Sequence, residues 1–234
     1  PQRRPWESLS AADKLQRLLD LCRQLKTSDR IVDWSASLSH VAMQSVFLTA
    51  DGAAADQRFD FLLPGASVAA HAKGLTQTRS FGPHRLAGGL ELLDERGFWT
   101  CAAGLAADAL ELLDAPNCPS GTMDVVLAPD QMNLQIHESI GHPLEIDRVL
   151  GDERNFAGTS FVRPEMVGSF RYGSELLNIS YDPTRSEQFG SFAFDDEGSR
   201  AEKRLLIERG ILKALLGGIT SQTRSGLPGV ATAR

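Results

Sequence analysis

The 234-residue chain carries 24 basic and 30 acidic side chains for a formal net charge of −6, with 42% hydrophobic and 23% charged residues. These proportions fit a globular protein of one large or two small domains, and the acidic balance argues against a nucleic-acid footprint. No apolar run is long enough to cross a bilayer as a helix, PQRRPWESLS has no apolar signal core, and the widely spaced Cys22, Cys101 and Cys118 form no disulfide framework, which points to a reducing cytoplasm.

Ser10 ahead of Ala11-Ala12-Asp13 reads as a helix N-cap with an acidic first turn. Leu15, Leu18, Leu19, Cys22 and Leu25 mark one face at helical period, so a helix is expected over 11–26 with Cys22 buried. Residues 31–49 alternate like a strand, Asp51-Gly52 signals a turn, and 57–63 supply the returning strand. Short strands are expected at 67–73 and 76–80. Leu90, Leu93, Trp99, Ala102, Leu105, Ala109 and Leu112 fit one or two helices, divided at Gly97 and ended by Pro116 and Pro119. Residues 123–128 read as a buried strand, and Pro129-Asp130 starts a helix. Beyond Gly151, strands are expected over 159–162, 176–181, 190–195, 203–208 and 211–216, with a hairpin turn at Glu208-Arg209-Gly210-Ile211. The fold class is α+β: a mixed N-terminal half with a metal-motif helix, then an antiparallel β-rich C-terminal half. Residues 1–120 form a helix/hairpin/helix region, and 121–234 a core with the metal helix and a β-rich segment.

That helix carries His137-Glu138-Ser139-Ile140-Gly141-His142. Two imidazoles suit Zn²⁺, and a carboxylate beside them can take a proton from a water that the metal acidifies. The usual H-E-x-x-H spacing places both rings on one helical face. Here the separation is five residues, which on a regular helix turns the second ring about 140° away. Gly141 supplies backbone freedom and Pro143 disfavours the α region at His142, so the helix is expected to end, bulge or kink there. Met132, Leu134 and Ile136 lead in as apolar positions, which argues against an exposed polar face. Glu145 and Asp147 follow closely enough to accept an imidazole N–H, or to cap the turn or pair with Arg148. His40, His71 and His84 have no ligand-like spacing and read as structural or surface residues. Cys118 reads as a turn residue, and Ser160 and Ser180 have no His/Asp arrangement to support serine hydrolase chemistry.

The run HESIGHPLEIDRVLG, from His137 to Gly151, resembles the active-site segment of the TldD/PmbA metallopeptidases, on the TldD side. Cys118-Pro119-Ser120-Gly121, Phe194-Asp195-Asp196-Glu197-Gly198 and Leu206-Ile207-Glu208-Arg209-Gly210-Ile211-Leu212 agree more weakly, so the resemblance extends from about Trp34 onward. It implies that His137 and His142 bind zinc and that Glu138 is the catalytic general base. It also implies hydrolysis of unfolded or extended peptides, with peptide-precursor maturation in some members, by a dimer with a TldE-type subunit or a second copy. Family members are substantially longer, with an N-terminal α/β domain and a cysteine near the C-terminus as third ligand. Starting at Pro1 and ending at Arg234 without either, this chain is expected to be an internal portion that needs the missing parts for activity. Two other readings stay open. Dipeptidyl-peptidase III enzymes share H-E-x-x-G-H, but their E-E-C-x-x-E/D segment has no match in the Asp195–Glu202 stretch. The other is a non-catalytic pseudo-peptidase or dimerisation subunit.

Overall fold

The computed structural model describes residues 2–82 and 85–232. The fold is α+β, and the chain divides into two compact units. One comprises 1–44, 58–121 and 186–189; the other comprises 45–57, 122–185 and 190–234.

In the first unit, helix α1 (Ala11–Leu25) starts where the Ser10 hydroxyl accepts the Asp13 N–H at 3.0 Å, which satisfies an orphan donor of the first turn. Its buried residues are Lys14, Leu21 and Leu25, while Leu15 and Leu19 are 58% and 43% exposed and Cys22 is only half-buried. The inward face is thus rotated from the expected one. It includes Lys14, which sequence pattern counts as polar. Its ammonium lies 3.9 Å from the Trp6 ring centroid and donates to the Leu9 carbonyl at 2.6 Å, so the stem can be buried.

Strands β1 (Ile31–Leu48) and β2 (Ala54–Ala72) pair around Asp51-Gly52, with Gly52 at φ +94°. β2 continues through Pro64-Gly65, so the strands expected at 57–63 and 67–73 are one. Leu62, Ala66, Val68 and Ala70 share its buried face at period two. β3 (Leu75–Ser80) returns antiparallel through Lys73 and Gly74, both at positive φ, and β4 (Leu86–Ala87) also pairs with β2. Helix α2 (Glu91–Glu95) stops before Gly97, whose φ of +70° breaks the helix as expected, and a 3-10 turn at Phe98–Thr100 leads into α3 (Ala102–Leu112). Ala102, Ala106 and Ala109 are fully buried, and their small side chains let α3 lie against α1 and β3. His40 bonds Asp60 at 2.9 Å and stacks on Trp6, and His71 bonds Thr76 at 2.9 Å. His40 is part-buried and His71 exposed, within the reading of structural or surface residues; His84 lies outside the described residues.

In the second unit, the segment before the metal-motif helix departs from the expected strand. No strand forms at 123–128: Val125 is 70% and Val126 98% exposed. An apolar run signals burial only if a neighbouring strand exists to cover it, and among the described residues none pairs here. Helix α4 (Pro129–Ile136) starts with Pro129, whose missing N–H costs nothing at that position. It buries no residue and leaves Leu134 55% exposed, against the expectation of a packed lead-in.

Downstream lie α5 (Ile146–Leu150), ended by Gly151 at φ +85°, and α6 (Arg154–Ala157). Strands β5 (Ile179–Tyr181), β6 (Arg204–Glu208) and β7 (Ile211–Leu212) form an antiparallel sheet. Arg209 (φ 47°) and Gly210 (φ 76°) make the expected hairpin turn between Glu208 and Ile211. β8 (Leu215–Leu216) pairs with β9 (Gly229–Val230) in parallel, joined through helix α7 (Ile219–Ser225). The expected strands at 159–162 and 190–195 are absent. At the latter, the Gln57 side-chain amide does a strand's work: its Oε1 accepts from the Ala193 and Phe194 N–H groups and its Nε2 donates to the Phe194 carbonyl. Ile140, Leu144, Ile146, Ile207, Leu212 and Leu215 form the core of this unit. Among the described residues, no helix is long and apolar enough to cross a membrane.

Candidate metal centre

The five-residue spacing is accommodated by a change of hydrogen-bond register. After α4 the chain runs as a π-turn over His137–Gly141 and then as a 3-10 turn over His142–Leu144. The His142 N–H bonds to the His137 carbonyl, an i→i−5 bond that inserts one extra residue into the turn. The break falls where expected, but not for the expected reason. Gly141 sits at φ −55°, ψ −66°, and His142 at φ −57°, ψ −44° despite the following Pro143. Both are right-handed helical values, so no glycine-only conformation is used. A Cβ on Gly141 would meet only the Ile136 carbonyl, at 3.8 Å.

The result is that the His137 and His142 rings stand 4.4 Å apart, centroid to centroid, at 78°. Donor atoms of His137, Glu138 and His142 all lie within 4.8 Å of one another. Tetrahedral ligands at Zn–N of about 2.0–2.1 Å are themselves roughly 3.4 Å apart, a separation of the same scale. His137 and Glu138 have exposed side chains, and His137 Nε2 lies 3.9 Å from Glu138 Oε1.

His142 is two-thirds buried and held from behind. Its Nδ1 lies 2.9 Å from Glu145 Oε1, and Glu145 Oε2 accepts from Arg148 Nε at 3.1 Å. A carboxylate there demands the Nδ1–H tautomer, which leaves the Nε2 lone pair free for a metal. Arg148 Nη2 is 3.4 Å from the same Nδ1; a nitrogen that carries a proton cannot accept from it, so the shorter Glu145 contact sets the tautomer. The backbone of Glu145 is fixed by a bridge to Leu216 of β8. Leu144 and Ile146, on either side, are fully buried. Asp147, the other acidic candidate, turns away: its carboxylate accepts the Arg148 backbone N–H at 3.1 Å.

Three further residues support the site, of which only Arg148 was expected, as a partner for Glu145 or Asp147. Arg148 completes the Glu145 carboxylate. The Tyr172 hydroxyl donates to the Ser139 carbonyl at 2.6 Å, and the Ser160 hydroxyl donates to the Pro143 carbonyl at 2.6 Å. Burial pushes the Tyr172 phenol up to about 12, so it remains a donor throughout the neutral range. Cys118 is exposed, with its thiol on the Pro119 carbonyl of its own loop.

Residues 120–234 match the PmbA/TldA metallopeptidase C-terminal domain. A metalloprotease of Methanocaldococcus jannaschii is 30% identical over 205 residues, 87% of this chain and 43% of that protein. A zinc metalloprotease TldD homologue of Saccharolobus solfataricus is 30% identical over 133 residues, 56% of this chain and 28% of that protein. The crystal structure of TldE from Thermococcus kodakarensis has a TM-score of 0.64 at 15% identity, over 99% of this chain and 50% of that one, a likeness of fold alone. The chain spans about half the length of the curated relatives it matches.

Proposed function

Since the chain belongs to the PmbA/TldD metallopeptidase family, we propose that it forms the metal-holding part of a zinc peptidase of the TldD type. Residues 121–234 are the metallopeptidase core, and 1–120 complete the part before it. The observation that carries the reading is the convergence of His137, Glu138 and His142 donor atoms within 4.8 Å, with His142 already oriented by Glu145. Two imidazoles with free ring nitrogens fit zinc by donor chemistry. When bound, the metal supplies Lewis-acid polarisation of a peptide carbonyl and lowers the pKa of a water.

The chain's own groups do the rest. His137 and His142 hold the metal. Glu138, exposed beside His137, takes a proton from the attacking water and returns it to the leaving amine. Glu145 keeps the His142 tautomer fixed. Substrates are unfolded or extended peptides, including peptide precursors, and the working form is a dimer with a TldE-type subunit or a second copy, in the cytoplasm. The match over 120–234 favours this over a dipeptidyl-peptidase III-like enzyme. The test uses the full protein that carries this chain and an extended peptide. Glu138→Gln should retain zinc and lose about 10²–10⁴-fold in turnover. Turnover equal to wild type would refute the base assignment, and loss of zinc would make Glu138 a ligand instead.

A further inference from the structure

The ladder of hydrogen bonds through the histidine segment has a gap. It runs from the His142 N–H on the His137 carbonyl to the Glu145 N–H on the His142 carbonyl. Between those bonds lie the carbonyls of Glu138, Ser139, Ile140 and Gly141. Pro143 has no N–H, so Leu144 supplies the one backbone donor for them. Carbonyls left without a backbone donor leave the ladder open, and an unmade ladder is free to reclose in another register. Two hydroxyls from the segment that follows fill positions on either side of His142: Tyr172 Oη on the Ser139 carbonyl and Ser160 Oγ on the Pro143 carbonyl, each at 2.6 Å.

We propose that Tyr172 and Ser160 are positioning residues of the metal site, a hydroxyl clamp that locks the π-to-3-10 junction and so keeps His142 beside His137. The clamp is itself anchored. The Tyr172 N–H donates to the Gly210 carbonyl at 2.8 Å, which ties it to the β6–β7 turn, and its ring packs edge-on against Phe170 and tilted against Phe161. Ser160 Oγ also accepts the Val162 N–H at 2.9 Å, and Val162 is in the core. Neither residue touches a metal donor atom, so their effect passes through backbone position alone. This inference rests on the zinc reading of His137 and His142.

The experiment measures Zn²⁺ affinity by competition with a chromophoric chelator, and the visible absorption of the Co²⁺-loaded protein, in the full protein carrying this chain. Tyr172→Phe keeps the ring and removes one O–H. It should weaken Zn²⁺ binding about 10–100-fold, the usual scale for groups that orient ligands, and alter the Co²⁺ spectrum, with the thermal midpoint little changed. Ser160→Ala should act in the same direction. Pro143→Ala restores a backbone N–H, and placed on Tyr172→Phe it should recover part of the lost affinity. A lowered thermal midpoint with wild-type Zn²⁺ affinity and Co²⁺ spectrum in both single variants would overturn the clamp while leaving the zinc reading standing. Wild-type protein whose Zn²⁺ binding is indifferent to His142→Ala would overturn both.

Discussion

Gly210 offers the sharpest test of how the second unit holds its hairpin. It lies at φ +76°, and a Cβ built there would sit 2.4 Å from the Gly173 carbonyl oxygen and 2.5 Å from that of Ser174. Both obstacles are backbone, so no side chain can rotate away. An L-residue held at left-handed angles costs roughly 1–2 kcal/mol. Relieving the clash means moving the turn off the 172–174 segment. That strains the Tyr172 N–H bond to the Gly210 carbonyl at 2.8 Å and the Gly210 N–H bond to the Leu177 carbonyl at 2.9 Å. Each such bond contributes about 0.5–1.5 kcal/mol, so Gly210→Ala should destabilise by about 3 kcal/mol. With m near 1–3 kcal/mol per molar, the urea midpoint falls by roughly 1–3 M. Arg209, next door at φ 47°, supplies the opposite control. Arg209→Gly trades left-handed strain against unfolded-state entropy and should change stability by no more than about 1 kcal/mol, in the favourable direction. Urea titration followed by far-ultraviolet circular dichroism reads both. A midpoint for Gly210→Ala equal to wild type would refute the argument.

Other outcomes follow from the same geometry. Glu145→Ala removes the acceptor at His142 Nδ1 and should weaken zinc about 10–100-fold, read by chelator competition; unchanged affinity would show that the tautomer is set elsewhere. Tyr172 titrates only near pH 12 in the folded protein, above the ordinary phenol value. Its contribution is therefore complete below about pH 10 and is lost as pH rises through about 12. Urea midpoints taken across that range should fall more steeply for wild type than for Tyr172→Phe. Gly141→Ala should retain zinc within about threefold, since its angles are ordinary helical ones and its Cβ position meets only ordinary contact.

What could be read in advance was what local chemistry dictates. The histidine pair and its glutamate are legible because metal ligation demands particular side chains at short spacing. Ser10 and the Arg209-Gly210 turn are legible because caps and left-handed turns restrict residue type. The break between His137 and His142 followed from helical periodicity, with Gly141 and Pro143 marking its place. Its mechanism did not, because a π-turn is a change of hydrogen-bond partner within near-normal angles, and residue preference reports angles. The failure at 123–128 is of another kind: apolar composition announces a wish for burial, and whether a neighbour exists is a tertiary fact. Tyr172 was invisible for the same reason. It reaches Ser139 from 33 residues downstream, and nothing in its own neighbourhood marks it.

The π-turn at His137–Gly141 also has a bearing on how such a motif can arise. An inserted residue in a helix is usually felt along everything that follows, because each later side chain turns by about 100°. Here one extra residue is taken up within a single turn, after which the chain runs as a 3-10 turn and leaves the helix at Glu145. Removing one residue between Glu138 and His142 would leave the histidines four apart, the spacing at which an unbroken helix already points two rings to the same side. A single-residue change in length thus separates two metal motifs that look unrelated when aligned letter by letter. The longer version inherits a debt that the shorter one does not have: carbonyls pushed out of the ladder, which some other part of the chain must meet with a hydroxyl.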